Sequence, residues 1–354
     1  MPTLEKSELF FAEKPNGISS HRPSADHQGF AEWCEQQINQ KLYVCHRLDK
    51  ETSGAMVFAK SKLAATQLTE LFSTQQVQKT YLFVSDKKSK FENWVVCEDK
   101  AEGTLLLECP LQKEEVGYQS FTEFVRISSD GPLYLYKAFP KTGKTHQIRK
   151  HALHSRIAIL GDDQYQGKSF ARLMLHCLEM KINGSSEEIK LTSKPSRLFD
   201  DLNLCTDSQL AGWIDSYERR EKVFAKLFED QESLRLFHSE TGDLRGEKVG
   251  DVVILGWWKS EQPTEDEKAK IQKLMGLLNI KNWVFQWRPG AQDKQSTEVL
   301  LKGSEFKSQD WLFHESGLKY RGSLERGQNF GLFLELQKMI QENNRLAQNL
   351  NKNN

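Results

Sequence analysis

The stretch HRLDKETSG, His46 to Gly54, sets one carboxylate, Asp49, two residues after Arg47 and next to Lys50. A carboxylate among cations fits an acid that must stay ionised in a partly desolvated cleft and act on an anionic substrate. Farther along, GKTHQIRKHALHSRIAILGDDQYQG, Gly143 to Gly167, is dense in cations and histidines and ends in a turn-rich Gly-Asp-Asp region. From Gly131 to Gly161 there is no acidic residue, while Lys137, Lys141, Lys144, Arg149, Lys150 and Arg156 occur with three histidines. A net charge of zero argues against a protein that coats nucleic acid indiscriminately. The confined basic stretch suits phosphates held in one groove. A surface ion pair in a turn and a solvated cationic face are the plain alternatives, and the two stretches together weigh against them.

Regular elements must carry these residues. AMVFAK, Ala55 to Lys60, reads as a buried strand leaving the acid. If Arg47 and Asp49 also lie on a strand, they point to one side. FVSDK, NWVVCE, TLLLECPL, QSFTEFVRI and PLYLYKAFP show the alternation and the β-branched or aromatic content of strands, with Gly, Asp and Ser turns between them. KLAATQLTELFS has apolar residues at helical spacing and should pack on the sheet. HQIRKHALHS has the same spacing, with Arg149 near a helix start and Ile148 and Leu153 facing inward. Consecutive strands on short turns favour an α+β fold, a mixed, largely antiparallel sheet with flanking helices. The absence of a Gly-x-Gly-x-x-Gly or Walker loop leaves nucleotide-cofactor binding unsupported.

These stretches resemble the RluA-type RNA pseudouridine synthases. The signature around that family's catalytic aspartate reads HRLDxxTSG, and His46 to Gly54 matches it throughout. FAEKPNGISSH, Phe11 to His21, is similar to the family's opening strand and Lys-Pro-x-Gly turn. QKTYLFV, Gln78 to Val84, is similar to its Lys-x-Tyr segment, and GKTHQIRKH with ILGDDQYQG to its arginine-bearing segment and the loop that follows. RLMLHCLEM, Arg172 to Met180, is similar to the strand that closes the domain. The likeness covers roughly residues 10–200.

It implies an isomerase that turns uridine into pseudouridine by breaking the glycosidic bond, rotating the base and rejoining it through carbon five. No group is brought in and no redox change occurs, so the resemblance implies no cofactor and no metal. It implies Asp49 as the catalytic carboxylate beside the sugar, a nucleophile or a stabiliser of a cationic transition state. Arg149 would orient that acid. Tyr81 would hold the flipped base and could help to move a proton. Arg47 would support binding or flipping, and Lys14, Lys144, Lys150 and Tyr165 would line the RNA cleft. His46 and His146 read as structural hydrogen-bonders.

The 354 residues, 38% hydrophobic and 28% charged, suit a globular protein of two domains. No apolar run approaches the roughly eighteen residues of a membrane span, and MPTLEKSELFF lacks the regions of a signal peptide. Cys34, Cys45, Cys97, Cys109, Cys177 and Cys205 form no Cys-x-x-Cys pair, which points to reduced thiols and a cytoplasmic address without a membrane partner. The organisation expected is a catalytic domain over 1–200, a helical linker over 201–230 containing SYERREKVFAKLFEDQES, and an accessory domain over 231–354. The accessory domain ends in a polar tail, NNRLAQNLNKNN, of disordered composition. The few residues before Phe10 cannot fold an S4-like module, so the target would be read by these two domains.

The last part holds five of the eight tryptophans, Trp257, Trp258, Trp283, Trp287 and Trp311. VVILGWWK and NWVFQWRPG read as strands around a helix in EDEKAKIQKLMGLL, a small α/β or α+β domain. Its tryptophans read as core first and as stacking platforms for bases second. LRLFHSETGDLRGEKVGDVVIL and DWLFHESGLKYRGSLERGQNFGLFLELQKMIQENNR resemble the middle domain of RlmI-like ribosomal RNA cytosine-5 methyltransferases. That family's Gln-Lys-Thr-Gly is here Gln328-Asn329-Phe330-Gly331, and its Asp-Gln-Arg is Glu335-Leu336-Gln337-Lys338. The S-adenosylmethionine-binding domain expected next is not found in the sequence, so this part reads as an RNA-docking or substrate-positioning module, or as the surviving half of a once bifunctional protein. The function expected is an RNA pseudouridine synthase with ribosomal RNA favoured over transfer RNA as partner. The competing readings are a non-catalytic RNA-binding or ribosome-assembly protein, and half of a split ribosomal RNA methyltransferase with a separate S-adenosylmethionine-binding partner.

The basic stretch carries a prediction. RNA affinity measured by filter retention should weaken by ~10²-fold or more between about 50 and about 200 mM salt. An affinity flat across that range would contradict a phosphate-lined groove.

Overall fold

A computed structural model describes residues 4–22, 24, 28–99, 105–108, 118–183, 188–224, 233–289, 297–307, 311–315 and 318–322. The chain divides into two compact units, Met1–Ala211 and Gly212–Asn354. The strands of the first are β1 (Leu9–Lys14), β2 (Tyr43–Val44), β3 (Ser53–Ala59), β4 (Val77–Ser85), β5 (Asn93–Asp99), β6 (Leu105–Glu108), β7 (Tyr118–Asp130), β8 (Leu133–Pro140), β9 (Leu175–Ile182) and β10 (Ile189–Thr192). They form one sheet in the order β1-β3-β9-β4-β8-β7-β5-β6, with β2 on β3 and β10 on β9. The pairing of β3 with β9 is parallel and the other pairings are antiparallel. This is a mixed, largely antiparallel α+β sheet. Its helices are α1 (Phe30–Ile38), α2 (Lys62–Ser73), α3 (Gln147–His154) and α4 (Arg197–Asp200), and α5 (Ser208–Val223) spans the division between the units.

All seven residues of β3 are buried, which fits the uninterrupted apolar run Ala55–Ala59 covered on both faces. Helix α2 starts where the Ser61 hydroxyl accepts the Ala64 N–H at 3.1 Å, and its buried residues are Ala64 and Leu68. The core of the β4–β8–β7–β5 region is aromatic. Phe83 stacks on Tyr136 with centroids 5.0 Å apart and meets Phe124 edge-on, and Trp94 stacks on Phe124.

Three details bear on the acid. Residues Cys45–Asp49 are not strand, so Arg47 and Asp49 sit on a loop ahead of β3 and not on one face of a strand. That loop is pinned by Ser20, whose hydroxyl donates to the Leu48 carbonyl at 2.7 Å and accepts the Leu48 N–H at 3.0 Å. Where β3 meets β9, Gly54 pairs with Cys177 at a φ of +122°. A Cβ there would lie 2.3 Å from the Cys177 carbonyl oxygen, so only glycine fits the approach. In α3, Ile148 is buried as expected, but Leu153 is half-exposed, and His151 and Ala152 fill the inward positions instead.

The second unit has a sheet of β11 (Leu234–Phe237), β12 (Leu244–Val249), β13 (Val252–Trp257), β14 (Trp283–Trp287) and β15 (Glu298–Lys302), in that order. Strands β13 and β14 are parallel and joined through α6 (Glu265–Leu277), the strand–helix–strand unit expected. Thr264 and Glu267 cap α6 reciprocally, and Ile271, Leu274 and Met275 are its buried residues. Trp257, Trp283 and Trp287 are core, while Trp258 is half-exposed with the Arg288 guanidinium 5.4 Å from its ring centroid. A hairpin of β16 (Trp311–Glu315) and β17 (Leu318–Gly322) carries part of the second resemblance. Its Gln328–Lys338 departures, the polar tail and Cys109 lie outside the described residues.

Gly54→Ala should destabilise the first unit by about 2–4 kcal/mol, because a side chain must displace the β9 backbone at a left-handed φ. Urea denaturation checks this, and an unchanged midpoint would contradict the close approach.

Candidate active site

Asp49 stands on the loop before β3 with a partly exposed carboxylate. Its Oδ2 lies 3.9 Å from Nη1 of Arg149, and its Oδ1 lies 3.8 Å from Nε2 of His146. One cavity is lined by Arg47, Asp49, Lys79, Tyr81, Lys144 and Arg149, together with His146 and Gln147. The acid, the guanidinium and the tyrosine, far apart in sequence, therefore share one cleft.

Arg149 reaches the acid in a fixed pose. Its Nε and Nη2 each donate to a different oxygen of Asp162 at 2.7 Å, and Nη2 also donates to Gln164 at 3.2 Å. Tyr165 closes the other side, with the guanidinium carbon 4.8 Å from its ring centroid. Burial works against the Arg149 charge, but the Asp162 bonds and the charges of Asp162 and Asp49 more than compensate and raise its pKa. Asp162 itself is fully buried and also accepts the Tyr165 N–H at 3.1 Å. Such a bidentate, doubly charged pair fixes direction as well as charge.

Helix α3, which carries Arg149, is fastened by polar side chains. The Gln147 amide donates to the Phe121 carbonyl and the Thr122 hydroxyl, both at 2.9 Å, and its oxygen accepts from the Thr142 hydroxyl and the Lys144 N–H. His151 lies between the Thr122 and Ser120 hydroxyls, and burial pushes its pKa down to about 4, so it is a neutral strut. His146 takes a left-handed φ of 55° just before the helix and hydrogen-bonds the Tyr165 hydroxyl at 3.0 Å.

Tyr81 sits at an irregularity in the β4–β9 pairing: Thr80 faces Glu179 and Tyr81 faces Cys177, leaving Leu178 as the extra residue. Its phenol hydrogen-bonds the Cys177 sulfur, and burial holds its pKa well above the usual phenol value. The phenol is therefore protonated near neutral pH. Among the described residues, no group of three His, Cys, Asp or Glu gathers closely enough to hold a metal ion.

The remaining expectations fare differently. Arg47 and Lys144 are exposed on the walls of the cleft. Lys150 is exposed on α3 and lines neither this cavity nor the one adjoining it. Tyr165 reaches the acid only through Arg149 and His146. Lys14 is a correction. It is fully buried, and its ammonium donates to the carbonyls of Pro15, Ile18 and Lys50 at 2.6–2.9 Å, so it cannot meet RNA. Burial pushes its pKa down to about 7 against the charges of Glu51 and Asp49, yet three carbonyl acceptors call for the third proton of an ammonium. Lys14 is an internal fastener beneath the loop that carries Asp49. His46 is likewise internal, accepting the Val57 N–H at 3.1 Å with its ring against Phe72, whereas His146 stands at the acid itself. Asp162 escaped the sequence reading, although Gly-Asp-Asp after a basic helix was the available signal.

Residues 8–154 match the RNA pseudouridylate synthase family model. A Haemophilus influenzae protein named an uncharacterized RNA pseudouridine synthase is 33% identical over 200 residues, 54% of this chain and 86% of that protein. The chain belongs to the RNA pseudouridine synthase family. The tRNA pseudouridine synthase C of Vibrio vulnificus is 32% identical over 206 residues, 50% of this chain and 82% of its own length. The ribosomal large subunit pseudouridine synthase C of Buchnera aphidicola is 30% identical over 169 residues, 46% of this chain and 52% of that protein. The family match lies within the first unit of this pseudouridine synthase, as does the cleft.

Asp162→Asn should lower the rate of pseudouridine formation by about 10²-fold, the usual cost of a misplaced reacting group. Circular dichroism should show the fold retained. A rate within twofold of the parent would show that the Asp162 charge does not set the Arg149 pose.

Proposed function

We propose that this RNA pseudouridine synthase uses Asp49 as its catalytic carboxylate, Arg149 to hold that carboxylate, and Tyr81 as the wall for the flipped base. The observation that carries the reading is the Asp49–Arg149 pair, 3.9 Å apart at the mouth of a cleft that Tyr81 also lines. A carboxylate facing a fixed guanidinium is aimed, as attack on a ribose carbon or stabilisation of its positive charge requires. Arg47 and Lys144 on the rim are suited to the phosphates flanking the target. The protonated Tyr81 offers a flat apolar face, and its buried hydroxyl points to Cys177.

Ribosomal RNA is the substrate we favour. The names of the relatives divide between transfer RNA and the large ribosomal subunit. The resemblance of the second unit to the middle domain of ribosomal RNA methyltransferases tilts the choice. In this reading that unit serves as an RNA-docking module. A cytoplasmic setting accords with Cys34, Cys45, Cys177 and Cys205, which are free thiols. No described helix is long and apolar enough to cross a membrane.

Asp49→Asn should abolish tritium release from RNA labelled at carbon five of uridine while leaving RNA affinity within about threefold. Residual turnover above a few per cent would remove Asp49 from the catalytic role, and a loss explained by binding alone would do the same.

A further inference from the structure

One cation in the cleft is not used by the arrangement described so far. Lys79 lies on β4 two residues before Tyr81 and is half-buried. It lines the active-site cavity and two that adjoin it, one along β4, β8 and β9 and one between the loop of the acid and residues 140–145. Its Nζ stands 4.9 Å from the centroid of the Phe72 ring. Among the described residues its ammonium has no carboxylate partner and no hydrogen-bond acceptor, whereas Arg149 bonds Asp162 and Gln164 and faces Asp49 at 3.9 Å.

Two ionisable side chains close to it are uncharged. The His46 imidazole is held neutral by burial, with the Lys79 charge adding to the effect, and burial pushes the Cys177 thiol up to about 11. Burial also lowers the pKa of Lys79. An ammonium over an aromatic ring with no carboxylate beside it is best used on an anion that enters or forms there.

Two anions are available to a pseudouridine synthase, the RNA phosphates and the uracil ring as it leaves the sugar. Phosphates are solvated and meet exposed cations such as Arg47, Lys141 and Lys144 on the rim. Lys79 is instead beside Tyr81, on the wall assigned to the base. We propose that the Lys79 ammonium donates a hydrogen bond to a uracil carbonyl and stabilises the negative charge that the base takes up in the reaction. As the bond from ribose C1′ to N1 breaks, its electron pair passes to the uracil ring and spreads onto the carbonyl oxygens. Asp49 meets the cationic carbon, and Lys79 meets the anionic ring. Lys79 is thus a catalytic residue of the same site, and this inference rests on the assignment of Asp49 to the sugar.

The test uses the full chain with in vitro transcribed large-subunit ribosomal RNA and total transfer RNA, both labelled with tritium at carbon five of uridine. Lys79→Met should lower the saturated single-turnover rate by ~10²–10³-fold, the usual loss for one donor to a developing anion. RNA affinity should stay within about threefold, with an unchanged salt slope, and Lys79→Arg should recover part of the rate. Lys79→Gln serves the same purpose should the methionine variant fold poorly. A weakened affinity and a shallower salt slope at an unchanged saturated rate would make Lys79 a phosphate contact and overturn the proposal. An unchanged rate and affinity would overturn it as well. If the parent releases no tritium from either RNA, the pseudouridine synthase reading falls first and this inference falls with it. A parent active only through a residue other than Asp49 would overturn the division of charge between the two ends of the cleft.

Discussion

A buried ion pair sets the geometry of the cleft. Asp162, sealed from solvent, takes two short hydrogen bonds from Arg149, and the nitrogen left over is the one that faces Asp49. Removing both charges from water costs several kcal/mol per ion, and a buried pair often does no more than break even in stability. Its value here is direction. A guanidinium that could turn would leave the acid to find its own orientation in a partly wet opening.

The loop bearing the acid is held with comparable care from below. Ser20 fixes Leu48 through both backbone groups, Lys14 gathers carbonyls that include that of Lys50, and Gly54 lets β3 reach the Cys177 backbone. These contacts have nothing to do with RNA. They explain why a lysine that reads as a cleft residue is spent on the interior: three carbonyls at the turn need a donor, and water is excluded. The same logic gives neutral His151 its place on the buried face of α3, where a charged ring would meet hydroxyls and the nearby charges of His154 and Lys150.

Much of this was legible in residue patterns. The uninterrupted apolar run after Gly54 announces a strand covered on both faces, and the helical spacing of Lys62–Ser73 holds because it buries a narrow apolar stripe, whereas Gln147–His154 buries Gln147, Arg149 and His151 beside Ile148 and Ala152. The acid, the arginine and the tyrosine follow from motifs that resemble a known family. Other features were hidden for physical reasons. Nothing local distinguishes a buried lysine from an exposed one, since the carbonyls that accept from Lys14 are backbone and carry no sequence signal. Asp162 reads as an ordinary turn residue until α3 brings Arg149 onto it. Arg47 and Asp49 follow no strand period, because the loop geometry is set from outside by Ser20. In the second unit, Trp257 and Trp258 are adjacent and chemically identical, and only the packing of β13 decides that one is core and the other exposed.

The central claim is that one carboxylate is delivered to a ribose by a guanidinium that does not move. A crystal structure of the protein bound to a uridine-containing RNA stem–loop, chosen for turnover by the parent, tests it most directly. The account predicts a flipped uridine against Tyr81, its C1′ about 3–3.5 Å from an Asp49 oxygen, and Arg149 still bidentate on Asp162. A uridine bound away from Asp49, or an Arg149 that leaves Asp162 to take a phosphate, would contradict it.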